Sequence, residues 1–262
     1  MFRSLYTAAS GMNAQQTNLD NVANNLSNAN TVGFRKRRVQ FEDMIYQNMV
    51  TPGAAATQQT VSAGLQIGLG TRAAATEILN SQGDFQQTGN SLDLAIQGMG
   101  YFQVMTPTGQ IAYTRAGSFH LDSSGNIVTS DGDALQPSIT IPADATAITI
   151  GADGTVSVTL PNQNQSQQIG QIQLATFPNP GGLNSVGSNL LLPTSSSGDA
   201  ITGTAGGSEG LGTMVQGSLE QSNVNTVEEF IQMILAQRSY EANSQVAKAA
   251  DQMFQEVNQL GK

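Results

Sequence analysis

Apolar side chains recur at steps of three and four residues near both ends of this chain. Such a seven-residue repeat is typical of helices that pack along a narrow seam. The N-terminal seam consists of Leu5, Ala8, Met12, Gln15, Leu19, Val22, Leu26 and Ala29. The C-terminal seam, interrupted at Ser239, consists of Ile231, Leu235, Ala242, Val246, Ala250, Met253, Val257 and Leu260. The pattern predicts two terminal helices that pair as a coiled coil, either within one subunit or between subunits.

The polar faces of both predicted helices are made mostly of uncharged amides. The N-terminal face carries Asn13, Gln16, Asn18, Asn21, Asn24, Asn25 and Asn28. The C-terminal face includes Gln232, Gln237, Asn243, Gln245, Gln252, Gln255, Asn258 and Gln259. Asn is a poor helix former and amides add no ion pairs, so these helices depend on packing for their stability. We hypothesise that the amide faces pack between subunits without burying ions.

Between the ends of the chain the apolar period changes to two, which is the period of a β-strand. Turn-forming stretches separate the runs, as in antiparallel sandwiches and barrels. The alternating apolar positions are Leu92, Leu94, Ile96, Phe102, Val104, Ile111, Tyr113, Phe119, Leu121, Ile139, Ile141, Ile148, Ile150, Val156, Val158, Ile172 and Leu174. We therefore predict an α+β fold with a β-rich outer body domain, sandwich or barrel-like, at residues 90–193.

The remaining parts of the chain are predicted to be a divided helical domain and its connections. Residues 1–35 and 225–262 form the terminal helical coiled-coil domain, and residues 36–89 and 194–224 are connecting, largely extended regions. Asn225 and Thr226 each precede a Glu by three residues, a capping-box spacing that starts the last helix near Val227. Residues 194–213 have the composition of a linker or exposed loop.

Within the first connection, two shorter elements are expected. A short amphipathic helix is favoured before Pro52 by Val39, Phe41, Met44, Ile45 and Met49. Residues 54–75 are mostly Ala, Thr, Gln and Gly, with a possible strand at Leu65, Ile67 and Leu69. We expect residues 54–70 to become ordered only against neighbouring subunits, because they contain few large apolar groups.

Composition and charge limit the kinds of functional site that this chain can contain and the compartments to which its sequence can direct it. The 262 residues carry a net charge of −9, and only 11% of them are charged. The absence of cysteine excludes disulfides and thiolate sites. In so acidic a chain the basic run at residues 35–38 is interpreted as a solvated helix end rather than a nucleic-acid site. Residues 1–11 contain no apolar run typical of a secretory signal, and no stretch is apolar enough to span a membrane.

Candidate chemistry is sparse. His120, the only histidine, lies between two apolar strand positions and is predicted to face solvent rather than to act as a base. Residues 122–126 and 131–133 contain carboxylates at spacings that suit calcium, but they are also ordinary turn sequences. The Gly98-Met99-Gly100 stretch is not followed by a helix that would present its N-terminus to phosphate. We predict no catalytic, cofactor or metal residue. A secreted, calcium-binding, β-rich adhesion module is the alternative from a different class.

Several motifs resemble one known family, in the same order along the chain. Residues 24–28 and 31–35 resemble the N-terminal signature of the axial proteins of the bacterial flagellum, the rod and hook proteins. Residues 217–225 and 237–243 are similar to the matching C-terminal signature, and residues 98–102 and 113–119 are similar to the body domain. The signature positions are Asn24, Asn25, Leu26, Asn28, Gly33, Phe34, Gly217, Leu219 and Asn223. Chain length and residues 46–68 most resemble the branch that forms the distal rod, with the proximal rod and hook proteins as alternatives.

This resemblance implies a non-enzymatic, self-assembling subunit of a hollow helical shaft. Its implied partners are further copies of itself, proximal rod proteins, hook protein, the peptidoglycan-layer and outer-membrane ring proteins, the rod cap and the export apparatus. It implies no cofactor, no nucleic acid and no direct membrane insertion. The implied location is the periplasm-spanning rod of the basal body, reached by export without a cleaved signal peptide. The terminal helices are expected to line the channel, where amide faces would give unfolded cargo a weakly adhesive wall.

Overall fold

The computed structural model describes residues 2–50, 55–56, 59–60, 64–161, 165–207 and 210–260. The chain divides into two compact units. The helical unit contains residues 1–27, 37–77 and 225–262, and the body unit contains residues 28–36 and 78–224. Helices at both ends and an antiparallel β region between them confirm the α+β fold, although the body sheet does not close into a barrel. The domain boundaries drawn from the sequence stay a prediction.

Two long antiparallel helices dominate the helical unit. Helix α1 spans Phe2–Ser27 and helix α2 spans Thr226–Leu260. Their relative direction follows from two contacts, since Gly11 lies against Asn243 and the Asn25 side chain bonds to Glu229. Asn225 caps α2, because its Oδ1 accepts hydrogen bonds from the backbone N–H groups of residues 227 and 228 at 3.1 and 3.4 Å. The capping residue inferred from the sequence is thereby confirmed.

Six strands complete the helical unit. They are β1 (Arg37–Asp43), β2 (Tyr46–Val50), β3 (Ala55–Ala56), β4 (Gln59–Thr60), β5 (Leu65–Gly68) and β6 (Thr71–Ile78). Strand β1 pairs with β6, β2 with β5, and β3 with β4. The prediction of a short amphipathic helix before Pro52 is wrong. Cross-strand pairing selects the extended form of this ambiguous apolar run, which contains Val39, Phe41, Met44, Ile45 and Met49. The strand expected at Leu65 and Ile67 is confirmed as β5, while residues 51–54, 57–58 and 61–63 lie outside the described residues.

The body unit consists of short strands. These are β7 (Phe85–Gln87), β8 (Leu94–Gln97), β9 (Tyr101–Met105), β10 (Ile111–Thr114), β11 (His120–Leu121), β12 (Ile127–Val128), β13 (Ala134–Gln136), β14 (Ala147–Ile150), β15 (Thr155–Thr159), β16 (Gln167–Gln171), β17 (Gln173–Thr176), β18 (Asn184–Gly187), β19 (Leu190–Leu192), β20 (Ile201–Thr204), β21 (Thr213–Gln216) and β22 (Ser218–Glu220). A 3₁₀ turn lies at Pro180–Gly182.

Strand order shows how the two ends of the body unit come together. Nine strands form one sheet in the order β11-β12-β13-β9-β10-β19-β18, with β17 also paired to β9 and β20 to β17. Strands β14, β15 and β16 form a second sheet. The late strands β21 and β22 pair with the early strands β8 and β7. The prediction of a linker or exposed loop at residues 194–213 is wrong in part. Strand β20 pairs with β17, and the side chains of Ala205 and Leu211 are buried.

A continuous apolar core fills the body unit. Leu94, Phe102, Phe119, Ile127 and Leu174 are each at most 2% exposed. The Phe102 and Phe119 rings meet edge to face with centroids 5.2 Å apart. The period-two pattern therefore identified most of this core correctly. It failed where strands reach the sheet surface, as at Ile111 and Leu121, which are 42% and 41% exposed.

The core leaves no room for a side chain at Gly117. A Cβ built there would lie 1.6 Å from the carbonyl oxygen of Leu94. We expect Gly117→Ala to destabilise the body unit by about 1–3 kcal/mol, because the backbone must move to relieve this overlap. Gly181→Ala is the control, since its Cβ would meet only the Asn179 amide oxygen at 3.4 Å. Urea unfolding of both variants measures the difference, and equal midpoints would refute the prediction.

Candidate assembly surface

Small and polar side chains form the contact between α1 and α2. Buried and half-buried positions of α2 follow one another at steps of three, four or seven residues, at Glu229, Met233, Ala236, Asn243, Ala247, Ala250 and Phe254. On α1, Ala8, Ala14 and Val22 are buried. A Cβ at Gly11 would lie 2.8 Å from Nδ2 of Asn243, so the helices approach closely there. Few large side chains are buried in this contact, which limits the stability it gives the pair.

The predicted seam residues of the two helices lie in different environments. Leu5, Met12, Leu19 and Leu26 of α1 are half-buried and Val22 is buried. On α2, Ile231, Leu235, Val246, Met253 and Val257 are between 45% and 55% exposed. The side chain of Leu260 lies outside the described residues. The apolar seam read from the sequence of α2 is therefore not the face that meets α1.

Three further apolar residues extend this exposed face of α2. Val227, Phe230 and Ile234 are 64%, 51% and 56% exposed and neighbour the seam residues around the helix. We call this face the α2 stripe, and it consists of Val227, Phe230, Ile231, Ile234, Leu235, Val246, Met253 and Val257. Its members form one group at residues 227–235 and another at residues 246–257, and groups of exposed apolar side chains of this kind mark an interaction surface.

Strands β2 and β5 of the helical unit, and the connection between β1 and β2, also expose apolar side chains. Ile45 is 82% exposed, and Tyr46, Met49, Val50 and Leu65 are 41–53% exposed. Most of the large exposed apolar side chains of the described chain lie in the helical unit, although it is the smaller unit. The body unit instead buries its apolar residues in its own core. The helical unit is thus the part of the chain whose apolar surface needs a partner.

Asn25 ties strand β1 to both helices inside the helical unit. Its Nδ2 donates to the Arg37 carbonyl at 2.9 Å and to Oε2 of Glu229 at 3.2 Å, and its Oδ1 accepts from the Arg37 N–H at 3.0 Å. Asn21 Nδ2 donates to the same carbonyl at 2.8 Å. These two amides were expected to pack between subunits or face a channel, and that is wrong for them because the Arg37 backbone inside the subunit takes their hydrogen bonds. Asn13, Gln16 and Asn24 remain on exposed positions.

A carboxylate at position 25 should disrupt this arrangement. Asn25→Asp removes two donors and places a buried negative charge beside Glu229, so we expect a loss of about 2–3 kcal/mol at pH 7. The introduced carboxyl has a raised pKa for the same reasons, so the defect is smaller below pH 4, where the group is protonated, and grows as the pH rises. Circular dichroism during urea unfolding measures it. Asn13→Asp, on an exposed position of α1, is the control and should change little.

The remaining signature residues join the N-terminal and C-terminal ends of the body unit. Asn223 Oδ1 accepts from the Lys36 N–H at 2.7 Å, and its Nδ2 donates to the carbonyls of Leu79 and Ser81 at 2.9 Å each. Gly33 has a φ of +70°, and a Cβ there would lie 2.6 Å from the Ala116 backbone nitrogen. Four other signature positions, all half-buried, are Asn28, Phe34, Gly217 and Leu219.

A charge cluster lies in the same part of the body unit. Arg35 Nη2 is 2.7 Å from Oε1 of Glu220, and Arg115 Nη1 is 3.4 Å from Oε2. All three side chains are at least nine-tenths buried. Burial lowers the pKa of Arg115 to about 10, with the Arg35 charge adding to the effect and Glu220 opposing it.

Two parts of the basic run therefore differ in environment. Arg35 is buried against Glu220, so the interpretation of the whole run as a solvated helix end is wrong at this residue. Arg38 does lie at the surface, where it pairs with Glu77 at 3.0 Å. Local sequence cannot separate the two, because the partner of Arg35 is remote in the chain.

The positions considered for catalysis or metal binding have ordinary structural surroundings. His120 is exposed on β11, as predicted. Asp122 Oδ1 accepts backbone hydrogen bonds from Ser124 and Asn126 at 2.8 Å each, and these lower its pKa as it closes a turn. Within the described residues, no three His, Cys, Asp or Glu side chains group as a metal site. None of the described helices has the length and apolar character that crossing a membrane requires.

Comparisons with known families agree along the chain. Residues 5–35 match the model described as flagella basal body rod protein, residues 95–158 match the flagellar hook protein FlgE/F/G D1 domain, and residues 215–260 match the flagellar basal body rod FlgEFG protein C-terminal region. The first and last of these cover most of α1 and α2. The middle match covers the central strands of the body unit.

Relatives are similar over their whole length. Flagellar basal-body rod protein FlgG of Borreliella burgdorferi is 47% identical, with 99% of each chain covered. FlgG of Caulobacter vibrioides is 47% identical over 98% of this chain and 99% of the relative, and FlgG of Bacillus subtilis is 42% identical over 99% of both. The resemblance seen in the signature residues is thereby confirmed. The chain belongs to the FlgG family of flagellar basal-body rod proteins.

Proposed function

We propose that this structural subunit of the flagellar distal rod self-assembles by burying the α2 stripe against neighbouring copies. The observation that carries the proposal is the exposure of eight large apolar residues along one face of α2. Burying one such side chain contributes roughly 1.5–3 kcal/mol when it leaves water completely. Several half-exposed side chains together therefore outweigh the entropy lost when subunits associate.

The helices gain their order through the same contacts. The α1–α2 contact buries mainly small residues, such as Ala8, Ala236 and Ala250, which supply little apolar area. A long helix rich in amides is marginal without packing. Assembly thus stabilises a helix pair that is weak in the single subunit.

The assembled product is a hollow helical drive shaft that transmits torque from motor to hook and encloses the export channel. In this proposal the subunit is not an enzyme and carries no cofactor. Its partners are further copies, the proximal rod and hook proteins, the peptidoglycan-layer and outer-membrane ring proteins, the rod cap and the export apparatus. It resides in the periplasm-spanning rod and is exported without a cleaved signal peptide. Nucleic acid and the membrane interior are not among its ligands.

Limited proteolysis of monomer and polymer tests the proposal. We expect protease to remove about the first 35 and last 40 residues of the monomer while the body unit survives, because weakly packed termini open first. In the polymer both ends should be protected. Fragment ends are mapped by mass spectrometry. If both ends of the monomer resist cleavage as well as the polymer does, the helices are prefolded and assembly must use the body unit instead.

A further inference from the structure

A cavity in the body unit lies beside the buried charge cluster. It encloses about 220 Å³ and is lined by Arg35, Arg115, Tyr101 and Asn80, among others. Its volume is below that of pockets for drug-sized ligands, so it suits one small group or a single side chain. Both arginines that line it are about 7% exposed.

The charges around this cavity do not balance. Arg35 and Arg115 share the single carboxylate of Glu220. Their other acceptors are backbone carbonyls, at Ser81 for Arg35 and at Ile96 and Gly98 for Arg115. Each guanidinium has more N–H donors than these acceptors satisfy among the described residues. One net positive charge and unused donors therefore remain at the cavity wall, where a carboxylate is the matching bidentate ligand.

The rest of the body unit carries the opposite charge. Residues 78–224 contain ten acidic side chains and, apart from Arg115, no Lys or Arg. Asp84, Asp131, Asp144 and Asp199 are exposed and make no hydrogen bond or ion pair through their carboxylates within the described part of the chain. Asp122 and Asp153, in contrast, are occupied in closing their own turns. A second copy can thus offer an unpaired carboxylate to a cavity that lacks one.

We propose that this cavity binds one carboxylate, supplied in the polymer by one of these four exposed aspartates of a second copy of the chain. The proposal rests on self-assembly of the subunit but concerns a contact other than the α2 stripe. Docking one acid into the cavity offsets the repulsion between acidic bodies and fixes the register of neighbouring subunits.

The first arm of the test uses the monomer with acetate as the probe. Acetate is expected to raise the unfolding midpoint more than chloride does at equal ionic strength. This rise should level off at high acetate concentration, as binding to a single site requires. Asn80→Asp places a carboxylate at the cavity and keeps an acceptor for the Tyr101 hydroxyl, which is 3.3 Å away in the native protein. This variant should lose the acetate effect. Asn184→Asp makes the same charge change on an exposed strand position outside the cavity and should keep it.

The second arm measures assembly of the full chain by sedimentation. Asn80→Asp and the quadruple variant with Asp84→Asn, Asp131→Asn, Asp144→Asn and Asp199→Asn should each raise the concentration needed for assembly by about tenfold, and combining them should add little. Normal assembly of the quadruple variant with a retained acetate effect would overturn the second copy as the source. If acetate does not stabilise the native chain more than chloride does, the proposal that the cavity binds a carboxylate is overturned. Variants of the α2 stripe report on the proposed function separately.

Discussion

Glu220→Gln is expected to destabilise the body unit by about 3–5 kcal/mol, because it leaves two buried guanidinium groups without a counter-charge. The substitution keeps the size of the side chain and an oxygen that can accept from the Gly83 N–H, which lies 3.1 Å from Glu220 Oε1. The loss therefore reports on charge rather than on shape. Hydrogen exchange of strands β9 and β10 during urea unfolding measures it locally.

A surface pair provides the matched control. Glu77 pairs with Arg38 at 3.0 Å, but the two side chains are 40% and 62% exposed, so Glu77→Gln should destabilise the protein far less than Glu220→Gln does. Adding Arg35→Gln to Glu220→Gln should recover part of the loss, because it removes one of the two uncompensated charges. If Glu220→Gln costs no more than Glu77→Gln, the cluster is not held by its charges.

The sequence predicted elements where a local period decides the structure. The body core at Leu94, Phe102 and Phe119 followed from alternation, because a sheet with one buried face places every second residue inside. Helix α2 followed from its repeat and from the cap at Asn225. The turn around Asp122 followed from residues that bond to their own backbone.

Long-range partners were the part that the sequence could not supply. The buried state of Arg35 depends on Glu220, and the strand form of residues 37–50 depends on pairing with β5 and β6. Asn25 has the same amide as its exposed neighbours, and its hydrogen bonds to Arg37 and Glu229 distinguish it from them. Each of these outcomes was decided by a group distant in sequence, which a local pattern does not contain.

Helix α2 shows both what a local pattern predicts and what it leaves open. Its apolar seam was found correctly as a pattern, but the pattern does not say which neighbour the seam meets. Small residues such as Ala236 and Ala247 form a second repeat on another face, and this repeat packs against α1 because small side chains permit close approach. The sequence signal for assembly is an apolar stripe that remains exposed on the subunit. This stripe can be recognised only once the structure shows which face of α2 packs against α1.

Charged residues in the α2 stripe are therefore expected to abolish assembly without unfolding the subunit. In Leu235→Glu with Val246→Glu, each new carboxylate replaces a side chain that is about half exposed in the monomer, so the monomer tolerates it. In the polymer the same carboxylates are buried without a partner, at a cost of several kcal/mol each. Sedimentation should then show only monomer at concentrations where the native chain polymerises, and a motile host that depends on the variant should not swim.

The control for this experiment changes the same helix on its polar side. Gln255→Glu with Gln259→Glu adds the same two charges at exposed positions on the side of the helix away from Met253 and Val257. This variant should assemble and support swimming, because its carboxylates have no apolar surface to disrupt. Circular dichroism and proteolysis of the body unit should be unchanged in both double variants, which separates assembly from folding. Polymers of native yield from Leu235→Glu with Val246→Glu would show that the stripe is not buried between subunits, and the drive for assembly would have to lie in the exposed strand residues around Ile45.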